Sequence, residues 1–431
     1  MGGKQSSQTM VKKENLSRNK TSTSCQTDGP ALPKPDIPAR GALEELLEGV
    51  GNFSASILGM SWTDLYRENI LPAIRKIRGN EEIIQVMKVK KEDIFDHAMS
   101  RYKGMIRNMR DKGEVLHVNP IINFIEIDKV LYEFDGGGFR RQYYSIFFQE
   151  CLKRFFEGSE RNKLPRHGNR HDDTFVGLGI AIVESILNED CGFPYLNKTV
   201  FMEILSKDNK EIETSLDIHD IPVGPVLDVV KKIINAETDC EMTVIISDDS
   251  ASFLDYIGWP EHLAMTMNHK FYLIQCITKW IIVDQRKSEI QQLKEGLNYM
   301  GFLDAIKYNA LFERLFVYTD RYSITAKYMK EKLGPSIENM EIESDDQKKA
   351  MEFAKKYIDS LNDEDAKLLF SFTTGLCDVP VANEQIIVEF NSDPNMPFPR
   401  SFTCLNKLIL PLGNTSFARF SQSFSEAFYD K

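Results

Sequence analysis

Phe398-Pro399-Arg400-Ser401-Phe402-Thr403-Cys404-Leu405-Asn406-Lys407-Leu408-Ile409-Leu410-Pro411 is the stretch on which the reading of this chain turns. A proline-containing polar loop runs into a cysteine and then into an apolar run, which places Cys404 at a loop-to-strand junction. Nucleophilic thiol chemistry needs a thiolate that a bulky partner can reach, and here a hydroxyl (Thr403), an amide (Asn406) and a cation (Lys407) lie close by in sequence. On the residues alone a second reading stands beside it: a free cysteine that fills a core as a small apolar side chain.

Working outward, Ile386 to Phe390 reads as a strand, Thr403 to Leu410 as a second and Ser416 to Phe428 as a helix with Phe420, Phe424 and Phe428 on one face. Strand, strand and helix make a compact α+β unit. Before it, Asp345 to Leu361 opens with acidic residues as the helix dipole prefers, and Lys332-Leu333-Gly334-Pro335 reads as a helix stop. Helices are predicted at Thr174 to Asn188, Leu196 to Ser206, Val226 to Asn235 and Lys270 to Asn298, the last broken near Asp284, with Thr243 to Ser247 as a strand. Val86 to Lys91 alternates as a strand and leads into a helix over Asp93 to Met109, whose Ile94, Phe95, Ala98, Met99 and Tyr102 share a face. Val130 to Phe134 alternates again. It runs into Asp135-Gly136-Gly137-Gly138 and then a helix bearing Tyr143, Tyr144, Ile146, Phe147, Phe148 and Cys151.

The chain has 431 residues, 42% of them hydrophobic and 10% aromatic, enough for two or three domains. A net charge of −11 sets its field against nucleic acid, which is not expected as a partner. Seven cysteines lack zinc or redox-pair spacing, so reduced thiols are expected and no metal or cofactor is called for. The longest apolar stretch, Phe271 to Val283, is broken by Lys279 and is too short to span a membrane, and the N-terminus lacks a secretory core. These features favour the cytoplasm, with the nucleus or a membrane surface as further placements. Residues 1–42 are polar and read as a disordered tail, and residues 43–85 as a helical lead-in.

The Cys404 stretch resembles the active-site signature of the HECT family of ubiquitin-protein ligases, in which a Leu-Pro element precedes His-Thr-Cys-Phe-Asn and an apolar strand ends in Leu-Pro. Thr403, Cys404, Asn406, Leu410 and Pro411 match, while Phe402 stands where the family usually has His and Leu405 where it usually has Phe. Upstream, Leu368-Leu369-Phe370-Ser371-Phe372-Thr373-Thr374-Gly375, followed by Val379-Pro380, resembles the family's Leu-Leu-Gln-Phe-Thr-Thr-Gly segment. Gly137 and Gly138, with Gln142 and Tyr143-Tyr144, resemble its paired glycines and the Glu and aromatic pair that follow. Val86 to Tyr102 and Thr174 to Ala181 are similar to further parts of the large lobe. The resemblance covers about residues 86–431 and is nearest to the short, divergent members of the family.

That resemblance implies an α+β fold of two lobes: a larger, mainly helical N-lobe over residues 86–319 and a small α/β C-lobe over residues 322–431, joined by a flexible hinge near residues 317–322. It implies an enzyme, a ubiquitin transferase in which Cys404 carries ubiquitin as a glycyl thioester, flanked by Thr403 and Asn406. Phe428, fourth from the end, docks on the large lobe in that scheme. The implied partners are ubiquitin, a ubiquitin-conjugating enzyme and protein substrates not identified by sequence. The conjugating-enzyme site maps to Asp239 to Lys279, with Phe253, Tyr256, Ile257 and Trp259 as its candidates. Because Phe402 removes a polar neighbour of the thiol, the alternative is a catalytically weak HECT-like module that binds ubiquitin or a conjugating enzyme. Met1-Gly2-Gly3-Lys4-Gln5-Ser6 fits N-myristoylation at Gly2, with Lys4, Lys12 and Lys13 adding attraction to anionic lipid; one acyl chain anchors weakly.

Overall fold

The computed structural model describes residues 66–429 apart from 81–82, 114, 127–128, 132–136, 169–171, 261–262, 319–323, 377–384 and 394. All of these fall in the compact unit Met60–Lys431. The tail 1–42, most of the lead-in 43–85, Gly2 and the connection at 319–322 lie outside the described residues, as do Cys377, Val379 and Pro380.

One π-helical turn, Tyr66–Ile70, leads into α1 (Leu71–Arg78), with Pro72 in its first turn where a missing N–H costs nothing. Strand β1 (Ile83–Val89) pairs in parallel with β2 (Val118–Glu126), and α2 (Ile94–Lys112) is the crossover that a parallel pair requires. A short antiparallel β3 (Lys129–Leu131) completes the sheet. Helix α3 (Gly138–Phe155) runs into the hairpin β4 (Phe156–Ser159) and β5 (Asn162–Pro165).

Next comes α4 (Thr174–Leu187), in which all residues are buried. It packs on α2, α3 and a later helix, α10 (Lys287–Leu297). Between them lie α5 (Lys198–Ile204), α6 (Asn209–Ser215), α7 (Pro225–Asn235), α8 (Asp239–Ile246) and α9 (Lys270–Ile282), followed by α10 (Lys287–Leu297) and α11 (Phe302–Ile306). The α4–α10 crossing is backbone on backbone: a methyl group on Gly296 would lie 2.1 Å from the Val176 carbonyl oxygen, and one on Gly179 2.7 Å from the Leu297 nitrogen. Glycine is required at both positions, because no rotamer change moves a main chain aside.

Glu184 is the one charged residue in α4, and its side chain is 2% exposed. Arg101 of α2 donates to both of its carboxylate oxygens, and the Tyr102 and Tyr144 hydroxyls each donate at 2.8 Å to Oε2. A buried charge is tolerable only when it is paired and hydrogen-bonded, and this one is held from α2 and α3 together. Burial, with the carboxylate next to them, holds both phenols protonated well above their ordinary range.

The last part of the chain holds α12 (Ala326–Glu338), α13 (Asp345–Asp359), α14 (Asp363–Thr374), β6 (Ile387–Phe390), β7 (Arg400–Phe402), β8 (Lys407–Leu410) and α15 (Phe417–Tyr429). Strand β8 is central, parallel to β6 and antiparallel to β7. Tyr357 of α13 packs on Phe424 of α15 at 4.6 Å between ring centroids, and Phe353 and Phe420 extend that cluster. The α+β class read from the sequence is observed. No helix among the described residues is long and apolar enough to cross a membrane.

Three local expectations are corrected. Thr243 to Ile246 lies in α8 and not in a strand: Thr238 and Glu241 form a reciprocal capping box, which starts a helix through a run of β-branched residues. Pro335 does not stop α12, which continues to Glu338. It falls in the last turn, where one lost N–H bond is outweighed by buried Leu333 and Ile337 on either side. The strand expected over Thr403 to Leu410 is strand from Lys407 on, and a 3-10 turn before it.

The Glu184 cluster gives a stability prediction. Arg101→Met leaves the carboxylate unpaired in the core and is expected to cost about 3–5 kcal/mol of unfolding free energy, read by urea denaturation.

Candidate active site

Cys404 occupies the tip of the β7–β8 hairpin. Phe402 pairs with Lys407 across the strands, so Thr403, Cys404, Leu405 and Asn406 make the whole connection. The turn closes through Asn406 in the left-handed region, at φ 48°, a conformation that asparagine tolerates better than most residues. The Asn406 carbonyl accepts from the Ile387 N–H at 3.0 Å, which ties the tip to β6. Cys404 is partly exposed, with Phe402 and Leu405 standing out at about half exposure on either side. Cys404 therefore stands at a hairpin tip and does not fill a core.

The turn rests on the first turn of α3. A Cβ built on Gly138 would lie 2.5 Å from the Cys404 nitrogen and 2.6 Å from the Thr403 hydroxyl oxygen. Gly375, in the left-handed region at the C-terminal end of α14, borders Thr403 from the other side. Gly137 is also left-handed and precedes α3 as its cap. Gly138 therefore makes room for the cysteine turn by having no side chain, while Gly375 supplies a left-handed backbone beside it.

Arg141, one turn along α3 and 6% exposed, reaches this seat. Its Nε donates to the Thr374 carbonyl at 3.3 Å, and its Nη2 donates to the Thr403 carbonyl at 2.5 Å and to Asn406 Oδ1 at 3.3 Å. Its neighbour Arg140 points the other way: Nε donates to Asp190 Oδ2 at 2.6 Å, and Nη2 to the Asn188 carbonyl at 3.2 Å. One turn of helix is thus fastened on one side to the large helical region and on the other to the hairpin.

Beside the hairpin lies an apolar groove of about 560 Å³, lined by Phe372, Met396, Phe398, Phe402 and Ala427 among others. Phe428 packs its ring on Phe372 at 5.4 Å and on Phe424 at 6.2 Å. The structure therefore gathers Thr403, Cys404 and Asn406 into one turn and sets Phe428 on α15 against α14.

Of the four candidates for a conjugating-enzyme surface, Tyr256 is 73% exposed, Phe253 stacks on Trp280 at 5.6 Å and Trp259 packs on Tyr272 at 5.3 Å. Ile257 is buried, so its place in that set is corrected: it belongs to the core. Phe271, also 73% exposed, was not singled out from the sequence, nor was Arg141. Two arginines, Arg140 and Arg141, follow the glycine pair, and nothing in their order tells which of them faces the hairpin.

The other described cysteines differ from Cys404. Cys151 and Cys191 are buried, and burial pushes the Cys151 thiol well above its ordinary pKa. Cys276 is half-buried, its thiol also raised chiefly by burial, and Cys240 is exposed on α8. Native-state alkylation followed by peptide mapping is expected to label Cys404 and Cys240 readily, and Cys151 and Cys191 after unfolding alone.

A family model described as HECT-domain (ubiquitin-transferase) matches residues 139–417. Two curated relatives carry the name G2/M phase-specific E3 ubiquitin-protein ligase: the Homo sapiens protein, 22% identical over 339 residues, and that of Macaca fascicularis, 21% identical over 334 residues. Each alignment covers 76% of this chain and 44% of the relative, so the chain spans less than half the length of these relatives. With the model matching well over half of its residues, including the cysteine hairpin and α3 from Phe139 on, the chain belongs to the HECT-domain family.

Proposed function

We propose that this chain is a HECT-type ubiquitin-protein ligase that takes ubiquitin from a conjugating enzyme onto Cys404 and passes it to a lysine of a protein substrate. The observation that carries the reading is the placement of Cys404, partly exposed at the tip of the β7–β8 hairpin and backed by a glycine-lined seat. The match to the HECT-domain model and the names of the two relatives support it.

In the first step the Cys404 thiolate attacks the carbonyl carbon of ubiquitin's C-terminal glycine. A new C–S bond forms, and the conjugating enzyme leaves as its own thiolate. One thioester replaces another, so the step is nearly balanced in energy and depends on bringing the two sulfurs together. In the second step a lysine ε-amine attacks the same carbon. The isopeptide bond forms, the amine gives up a proton, and Cys404 leaves as thiolate.

The two steps bring different partners to one thiol. We therefore read residues 322–431 as a C-lobe that swings on a hinge near residues 317–322 relative to an N-lobe over residues 86–319, with the structure corresponding to a seated position. Phe428 is assigned the family's docking role during transfer. Tyr256 and Phe271 are the exposed aromatics offered to the conjugating enzyme. The free thiols support a reducing compartment such as the cytoplasm, and acylation at Gly2 would add a weak membrane attachment.

The test is to incubate the protein with activating enzyme, a panel of conjugating enzymes, ATP and labelled ubiquitin. An adduct is expected that reducing agent removes and that Cys404→Ala does not form. If every conjugating enzyme fails while the protein still binds ubiquitin, the chain is a binding module.

A further inference from the structure

We propose that Arg141 is a positioning residue for the second step, transfer from Cys404 to the target amine. It holds the cysteine turn on α3 so that the thioester carbonyl is presented from a fixed place. This inference rests on the ligase reading above.

Three observations carry it. First, the guanidinium collects acceptors from two separate pieces of chain, the end of α14 (Thr374) and both flanks of Cys404 (Thr403 and Asn406). A planar fork of five donors can span such a set, whereas a lysine ammonium cannot. Second, Gly138 lets the Cys404 main chain come closer to α3 than any side chain would permit. Hydrogen bonding and shape therefore act on the same turn from the same helix face. Third, seating leaves Cys404 partly exposed and ties Arg141 to the main chain on one side of it and to the Asn406 side chain on the other.

A lysine arriving from a third protein gains most from an electrophile that is held still, because its own approach is the part left to chance. Loading has a different requirement. The cysteine must reach a sulfur carried on another enzyme, and a turn pressed against α3 is closed on that side. The seat therefore serves discharge and not loading.

There is a plainer role to separate from this one. The Thr374 carbonyl is among the last of α14, and a cation there is a favourable helix cap. A cap alone would change stability without distinguishing one chemical step from the other.

The experiment uses the full chain as wild type, Arg141→Ala, Arg141→Lys and Gly138→Ala. Each is loaded by a single turnover from a charged conjugating enzyme, then chased with free lysine while the thioester is followed on non-reducing gels. Loading is expected to be unchanged in all three variants. Discharge is expected to slow by about tenfold or more, the loss appropriate to charge-assisted hydrogen bonds. Arg141→Lys is expected not to restore it. Gly138 has ordinary helical geometry, so alanine there leaves α3 intact and displaces the turn by bulk; it carries the test should Arg141→Ala fail to fold. Equal discharge rates in wild type and variants, or loading that falls in step with discharge, would overturn the proposal. Hydrogen exchange over residues 400–406 reads the seat independently of chemistry: faster exchange in Arg141→Ala supports it and equal exchange refutes it. A wild type that never loads removes the ligase reading, and with it any role for Arg141 in transfer, even where the exchange result stands.

Discussion

The rest of the structure depends on how one carboxylate is held inside an apolar helix. Helix α4 is buried along its length, and a single charge there, Glu184, has to be matched by Arg101, Tyr102 and Tyr144. Because Tyr144 belongs to α3, matching that charge also fixes the rotation of α3. Arg141 lies three residues before Tyr144, and Gly138 three before that, so both come to the side on which the cysteine hairpin rests. The requirement to satisfy a buried charge is in this way transmitted along one helix to the place where the chemistry is proposed to occur.

The site itself is economical in side chains. Cys404 is presented by backbone geometry: two strands in register, a four-residue connection, a left-handed Asn406 and glycines where the main chains meet. Thioester exchange asks little of neighbouring acids and bases compared with placement of the sulfur, and a hairpin tip tied to β6 and α3 provides placement. Phe402, which stands where the family usually has histidine, points to the same economy. It is half exposed and lines the apolar groove beside the turn, where it offers surface to a partner and no proton.

Much of this was legible in the sequence, for identifiable reasons. Helix α4, α7 and the broken pair α9 and α10 follow from strong apolar periodicity, and α13 from its acidic first turn. Strand β2 gave no clear signal because Pro120 interrupts it. The residues of α8 looked like a strand because β-branched side chains dominate Thr243 to Ile246, and the capping box that overrides them lies upstream. Around the cysteine, Thr403, Cys404 and Asn406 were legible through the family signature, but the hairpin tip was not. A left-handed asparagine between two short strands resembles a continuous strand when residues are read by type. Arg141 was illegible for a different reason: its acceptors lie 233 to 265 positions away, and only the folded chain brings them to it.

The most direct measurement of the account is to locate ubiquitin on the chain after one turnover, by peptide mapping under acidic, non-reducing conditions that preserve thioesters. The account predicts one ubiquitin, on the peptide that contains Cys404, and none on the peptides containing Cys240 and Cys276, the other cysteines that are not buried among the described residues. Ubiquitin on either of those, with Cys404 unmodified, would contradict it.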